Sequence, residues 1–370
     1  MAPAIPVAVF RGRPLKRLGL LGVALLAGLP LAARASATLR IDDDRFITVG
    51  LGLRVVASTQ VPGAPAQDLA RPEFALDSAL LGLTGQLRPE VKLQLNVARQ
   101  PTGELRFLDA IGMFEPRPFL KIWAGRMLPP VDRASLIGPL FASTWDVPFV
   151  GISGTQAGGR EDGVVLWGEP LLERVRVQLG AFRGVRGPTN PLGRLLYTGR
   201  VTLNLLQPEP GYYHLGTTYG ARDVLSFGVG GRYQRSATGA GDLTGDLATF
   251  AIDGLLEKKL EWGVVNVEAG FYLHRNGGVV DPVYANANGA YALAGYLVPV
   301  AIGPGRVQTV LRYQRLSPPL GTSLVPRTRE DVNLNYIIQG HPLRLGLVLL
   351  HEAAPAGVIY GAKLGAQLIL

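Results

Sequence analysis

Apolar and polar residues alternate with a period of two along most of this chain, the pattern that puts successive side chains on opposite faces of a β-strand. Near the start Ile47, Val49, Leu51, Leu53 and Val55 alternate with Thr48, Gly50, Gly52 and Arg54. Val91, Leu93, Leu95 and Val97 alternate with Lys92, Gln94 and Asn96. Val175, Val177, Leu179 and Ala181 do so with Arg174, Arg176 and Gln178, and Val265, Val267, Ala269, Phe271 and Leu273 with Asn266, Glu268, Gly270 and Tyr272. At the end Val358, Tyr360, Ala362, Leu364, Ala366, Leu368 and Leu370 face away from Gly361, Lys363, Gly365 and Gln367. One face is apolar throughout; the other is polar or glycine.

A soluble sandwich also alternates, with its apolar face turned inward. These segments run to about ten residues, the length of a tilted strand that crosses a bilayer, where soluble strands average five or six. The pattern predicts strands near 45–57, 76–87, 91–99, 105–115, 119–127, 162–168, 174–182 and 194–206. It continues near 223–235, 248–258, 263–274, 289–298, 305–315, 331–339, 343–351 and 358–370. The expected fold is all-β, a transmembrane antiparallel up-and-down β-barrel of sixteen strands. Barrels of this kind alternate short periplasmic turns with longer outer loops. Here 88–90, 115–118, 259–262 and 340–342 fall on the periplasmic side, and 58–75, 128–161, 183–193, 236–247, 275–288 and 316–330 fall outside. Residues 207–222 break the rule, since a short turn belongs there. Either that turn is long, or Tyr213 to Tyr219 belongs to a strand and the count is eighteen. Tyr197, Tyr233, Tyr313 and Tyr360 sit at the outer ends of their strands, as an interfacial aromatic girdle requires.

The first residues read as an export leader. Arg11, Arg13, Lys16 and Arg17 precede an apolar stretch from Leu18 to about Ala32, and Ala35-Ser36-Ala37 offers the small-residue cleavage pattern. The expected organisation is a signal peptide over 1–37 and a barrel over 38–370. The leader carries five basic residues and no acidic ones, so its removal lowers the net charge from +9 to +4. The basic balance is then largely an export feature, and no nucleic-acid partner is expected from it. The chain has no cysteine, which excludes disulfides and thiolate metal sites. Outside the leader no apolar run approaches the twenty residues of a spanning helix, while 48 glycines and 28 prolines supply many turns.

Parity assigns the inner face. Arg54, Lys92, Arg174, Arg176, Arg200, Arg232, Arg306, Arg312 and Arg344 share the polar phase of their strands, against Asp253, Glu257, Glu268 and Asp109. Nine cations against four anions describe a mildly positive lumen that favours anions. The same arginines could instead brace the wall by pairing with acids and backbone. In the fifth strand Leu120, Ile122 and Ala124 put Arg126 on the lipid side, where a bulge would restore the phase.

Several motifs appear in an order that resembles the phosphate-selective porin O/P family. They are Leu108-Asp109-Ala110, then Gly125-Arg126-Met127-Leu128-Pro129-Pro130, then Gly159-Arg160-Glu161-Asp162-Gly163-Val164. Gly295-Tyr296-Leu297-Val298-Pro299, Leu311-Arg312-Tyr313 and Val332-Asn333-Leu334-Asn335-Tyr336 with Gly340-His341 complete the series, from about residue 45 to the end. The resemblance implies a sixteen-stranded, commonly trimeric outer-membrane porin, general or anion-preferring, inserted by the barrel-assembly machinery and surrounded by outer-membrane lipid. It implies small hydrophilic solutes or anions as cargo. It also implies a third outer loop folded into the lumen, and the longest loop, 128–161, is the third. Arg133, Asp146 and Arg160 would stand at that constriction, beside Asp132 and Glu161. Two features depart from the family: the chain ends in Leu370 rather than an aromatic residue, and its third loop lacks a run of cations.

Catalysis finds little support. His214, His274, His341 and His351 show no metal-ligand spacing. Ser153, in Gly151-Ile152-Ser153-Gly154, misses the nucleophile-elbow spacing, and Gly228-Val229-Gly230-Gly231 falls inside a strand. No cofactor or metal is expected. Sixteen strands enclose an aqueous channel rather than a side-chain-filled core, so a pore is the expected function, with a plugged structural or adhesive barrel as the alternative and an outer-membrane hydrolase behind it.

Overall fold

The computed structural model describes residues 37–62, 72–99, 103–151, 159–171, 173–186, 190–209, 211–240, 243–279, 286–318, 326–355 and 357–370. Residues 1–36 of the expected leader and Ser153 lie outside the described residues, and Ala37 begins the first strand. Seventeen strands form one antiparallel sheet. In chain order they are β1 (Ala37–Arg40), β2 (Phe46–Pro62), β3 (Glu73–Arg88), β4 (Val91–Arg99), β5 (Leu105–Arg117), β6 (Leu120–Met127), β7 (Glu161–Gly168), β8 (Val175–Phe182) and β9 (Leu196–Asn204). There follow β10 (Val224–Ala240), β11 (Leu243–Leu260), β12 (Gly263–Arg275), β13 (Ala287–Leu297), β14 (Arg306–Ser317), β15 (Arg327–Ile337), β16 (Leu343–Ala354) and β17 (Gly357–Ile369). Each of β2 to β17 pairs with its chain neighbour, and β17 pairs back onto β2 over Ile369↔Gly52 to Ile359↔Pro62, which closes a sixteen-stranded barrel. The extra strand β1 pairs with the start of β2, beyond the point where β17 ends.

All sixteen expected strands form, because closure satisfies every ladder and leaves no open edge in hydrocarbon. The outward phase is apolar and exposed: Leu51, Val229, Phe250, Phe271, Leu311 and Leu349 stand on that face. So much exposed apolar surface would be unstable in water and is stable against lipid tails. Tyr197, Tyr233, Tyr313 and Tyr360 are also exposed, as the girdle required.

Four details correct the reading from sequence. The stretch 236–247 is mostly strand, since β10 and β11 run 17 and 18 residues and continue their pairing to Ala240↔Leu243. Arg174 precedes β8 and is exposed on a turn, where its guanidinium donates to the carbonyls of Leu205 and Leu206 at 2.8 Å. No register shift interrupts β6 near Arg126. Arg126 stays on the outer phase and pairs with Asp162 through bonds of 2.6 and 2.8 Å, which balances its charge locally. Gly125 next to it has φ +128°, and a Cβ there would lie 2.0 Å from the Ala110 carbonyl oxygen, so only glycine fits. Finally, residues 205–209 and 211–223 form a long connection with no strand, which removes the eighteen-strand alternative.

Candidate functional site in the barrel lumen

The segment after β6 turns into the barrel. Asp132 caps the single helical turn α1 (Arg133–Leu136): its Oδ1 accepts from the Ser135 amide at 2.9 Å and its Oδ2 from the Ser135 hydroxyl at 2.7 Å. Tyr272 of β12 donates to the same carboxylate at 3.1 Å. Arg133 is buried and charge-satisfied on every side. Its Nη1 donates to both Glu209 oxygens at 2.7 and 2.8 Å, its Nε to Glu268 at 3.1 Å, and its Nη2 to the Leu215 carbonyl. Its backbone amide donates to Asp253 at 3.0 Å, and Asp253 also receives two bonds from Arg200 at 2.7 and 2.6 Å.

From Ile137 to Gly151 the inserted loop is irregular, so its backbone carbonyls need donors from the wall. The wall arginines supply them. Arg54 donates to the carbonyls of Pro139 and Trp145 at 2.9 and 2.8 Å, and Arg344 to that of Ala142 at 2.6 Å. Arg312 donates to the Thr144 hydroxyl at 3.1 Å and to the Asp146 carbonyl. Asn335, Gln367 and His274 donate to the carbonyls of Ser143, Leu140 and Val150, each at 2.9 Å. Trp145 is the keystone. Arg54 lies 4.2 Å above its ring, a cation–π contact, and a Cβ on Gly365 would come within 2.4 Å of it.

A second segment enters from the periplasmic end. Residues 205–209 and 211–223 rise between β9 and β10 and meet the inserted loop. Glu209 anchors Arg133 and also accepts from the Ser226 hydroxyl at 2.7 Å. The Tyr212 hydroxyl donates to the Leu128 carbonyl at 2.8 Å, the His214 amide to Leu136 at 3.3 Å, and the Gly216 amide to Phe141 at 2.9 Å. Tyr212 packs tilted against Trp123 and edge-on against Trp167, Tyr213 packs tilted against Trp123, and the group rests on Ile111, Met127 and Phe182 of the wall. Further along, Glu257 of β11 accepts from the amides of Thr218 and Gly220 at 3.0 and 2.9 Å and from the Thr218 hydroxyl. His341, in the β15–β16 turn, bonds the Thr217 carbonyl at 2.9 Å and packs its ring 4.8 Å from that of Tyr219. The segment therefore reaches from the β9–β10 hairpin to the turn after β15. Burial pushes His214 down to about 4 although Glu209 opposes it, and burial with Arg344 nearby pushes His341 down to about 4.

The residues singled out from sequence separate into three groups. Arg54, Arg176, Arg200, Arg232, Arg312 and Arg344 point inward and are buried. Arg176 is held by Glu169 and the Glu209 carbonyl, and Arg232 donates to Thr249 at 3.1 Å. Lys92 and Arg306 point inward and keep partial exposure, Lys92 beside Glu115 at 2.7 Å. Arg174 stands apart, on the turn. Of the constriction residues, Arg133 is enclosed, Arg160 bonds Asp109 at 3.1 Å, and Asp146 bonds Lys363 and Arg329 at 2.8 and 2.7 Å. Those two cations hold Asp146 well below the usual carboxylate range against the opposing effect of burial. Counting from sequence missed the inner acids Glu115, Glu169, Glu209 and Asp331. Glu115, Glu169 and Asp331 gave a signal, as carboxylates at or next to the ends of expected strands, and Glu209 gave none. Among the described residues no group of three or more His, Cys, Asp or Glu could hold a metal ion.

Water reaches the lumen along one arc. Ser78, Gly82, Thr84 and Gln86 of β3 and Lys92, Gln94 and Asn96 of β4 point inward and keep exposure, while Ala98 at the outer end of β4 is buried. Asp77 and Lys92 are each 32% exposed, and Asp146 and Lys363 keep 26% and 21%. Together they mark a polar track from the outer half of the wall to its periplasmic end.

No family model matches the sequence, and no curated protein matches it. Solved structures do. OprB of Pseudomonas putida superposes with a TM-score of 0.63 at 10% identity, covering 88% of this chain and 94% of the other. An anion-selective porin from Comamonas acidovorans gives 0.58 at 15% identity, covering 88% and 99%. The trimer form of OmpT, an outer membrane protein of Vibrio cholerae, gives 0.56 at 12% identity, covering 88% and 99%. The chain thus has the fold of the bacterial outer-membrane porins.

Proposed function

We propose that this chain, exported behind a cleaved leader over 1–37, works in the bacterial outer membrane as a porin for passive diffusion of small hydrophilic solutes. The observation that carries this reading is the polar track along β3 and β4: neutral and charged side chains face water inside a barrel whose outer face suits lipid. A mild anion preference follows from Lys92, Arg306, Arg329 and Lys363 set against Asp77, Glu115 and Asp146. A phosphate preference rests on the resemblance to the phosphate-selective porin O/P family alone, because the buried arginines are already engaged by carboxylates and loop carbonyls. The inserted loop 128–161 supplies the constriction. A homotrimer is supported by the trimer form of the Vibrio cholerae relative.

Single-channel recording of the refolded mature chain in a planar bilayer, under a salt gradient, tests the reading. Steady conductance with a small anion-favouring reversal potential supports it. Conductance with no preference keeps the pore and removes the charge assignment. A folded barrel that passes no current, both as it is and with the segment between β9 and β10 shortened to a turn, sinks the porin reading and favours the plugged alternative.

A further inference from the structure

The two segments inside the barrel come from opposite ends and are bonded to each other. The outer one is the expected constriction. The periplasmic one has no counterpart in the simple plan of a barrel, which needs only a short turn between β9 and β10. Its ends are already joined as such a turn would join them: the Leu205 amide donates to the Leu225 carbonyl at 2.8 Å and the Gln207 amide to Asp223 at 3.0 Å. Residues 208–222 are therefore an insertion on a finished hairpin, and the barrel wall does not need them.

We propose that this insertion is a periplasmic plug that holds the pore largely shut when latched. Three sets of contacts form the latch. Glu209 meets Arg133 of the inserted loop, Glu257 of β11 gathers the amides of Thr218 and Gly220, and Thr217 reaches His341 at the β15–β16 turn. These anchors lie in the periplasmic half of the lumen, and among the described residues the inward side chains that keep exposure stand mainly along β3 and β4, with Lys363 and Arg306 in addition. A loop with no such purpose would stay outside, where water satisfies its carbonyls without a buried carboxylate. Close fit favours seating over looseness: a Cβ on Gly216 would lie 2.4 Å from the Ser143 amide nitrogen. The latch is also severable, because it consists of side-chain bonds and two backbone bonds, from the His214 amide to Leu136 and the Gly216 amide to Phe141, and includes no strand pairing. Opening breaks those bonds and leaves all sixteen ladders intact.

This inference rests on the pore reading, and the test separates the two. The parent chain is compared with a variant in which 208–222 are replaced by Asn-Gly, the two-residue hairpin turn that suits right-twisted strands. Folding of both is verified by circular dichroism and heat-modifiable gel migration. The expected result is a several-fold rise in mean conductance, with the closed intervals of the parent lost. Current from the variant where the parent is silent supports the plug equally. Equal current and equal closed time in the two chains overturn the plug and leave the porin. Silence from both folded chains overturns the plug and the pore together. Glu257→Ala offers a second route should the replacement misfold, since it removes the acceptor of three plug bonds and leaves the strand in place. It should lengthen open times, and unchanged gating in that variant also overturns the proposal.

Discussion

The wall of this barrel has two arcs that share a pattern and differ in fate. From β8 to β16 the inward face carries hydrogen-bonding side chains, as with Arg200, Asp253, Glu268, Arg312, Asn333 and Arg344, set among apolar ones such as Leu293, Val310 and Val348, and all of these are buried. Along β3 and β4 they are short or neutral, as with Ser78, Gly82, Thr84, Gln94 and Asn96, and they remain wet. Both arcs alternate apolar-out and polar-in. The difference lies in reach and bonding capacity. Irregular backbone inside a barrel must place its carbonyls against donors, and the guanidinium and amide groups that meet them stand on the first arc and on the adjoining β17 and β2, as with Arg312, Asn335, Arg344, Gln367 and Arg54. Inserted chain settles on that arc and solvent keeps the other. A wall arginine is thus a pore residue or a brace according to whether a loop carbonyl faces it.

The comparison breaks most sharply at Arg133. Arg133→Ala would leave Glu209 and Glu268 buried without their cation, at a cost of about 3–5 kcal/mol. Urea unfolding followed by tryptophan fluorescence should show that loss, and adding Glu209→Gln and Glu268→Gln should recover most of it. A single variant as stable as the parent would mean that the sealed arc is not held by this network.

On the wet arc, bulk matters more than stability. Asn96→Trp, at mid-height on β4, should cut single-channel conductance by roughly half or more with little change in unfolding midpoint. A bulky substitution on the sealed arc that preserves folding, such as Val310→Phe beside the inserted loop, should leave conductance nearly unchanged. Equal effects at both positions would dissolve the distinction between the arcs.

Acid should loosen the sealed arc first. His214 faces Glu209, Arg133 and Arg200, and His341 faces Arg344, Tyr219 and the carbonyls of Thr217 and Leu140. Both are held at about 4 by burial, below the ordinary value of 6.5. Between these values a released segment binds protons that the latched one does not, so latching is at full strength above about 6.5 and weakens as pH falls toward 4. Glu209 is held well below the usual carboxylate range, by Arg133 and His214 against burial, and its contribution persists through this window. Closed time in bilayer recordings should shorten as pH drops from 7 to 4.5, and His214→Gln should flatten the response. Closed time that lengthens in acid would reverse the assignment.

The smallest effect belongs to selectivity. Lys363→Gln removes one exposed cation beside Asp146 and should move the reversal potential a few millivolts toward cations. Arg200→Gln, deep in the sealed arc, should not move it at all. A larger shift from Arg200 than from Lys363 would show that ions pass on the side that is closed here.

Much of this molecule was legible from residues alone. The period-two alternation is a local property, enforced at every position by the contrast between lipid and lumen, so all sixteen strands, their phase and the tyrosine girdle followed from it. The long third loop was visible as a stretch without alternation, and the connection over 207–222 was visible as too long for a turn. What that connection does was not legible, because nothing local in Pro208-Glu209 or Tyr212-Tyr213 tells where a periplasmic segment will settle. The role of the arginines was not legible either. Parity placed Arg54, Arg200, Arg312 and Arg344 on the inner face, and it is silent on partners more than eighty residues away, such as Pro139 for Arg54 or Ala142 for Arg344. Alternation along a strand records only which solvent each face meets; tertiary structure alone decided which inner residues bond inserted chain and which still meet water, because those contacts join segments distant in sequence.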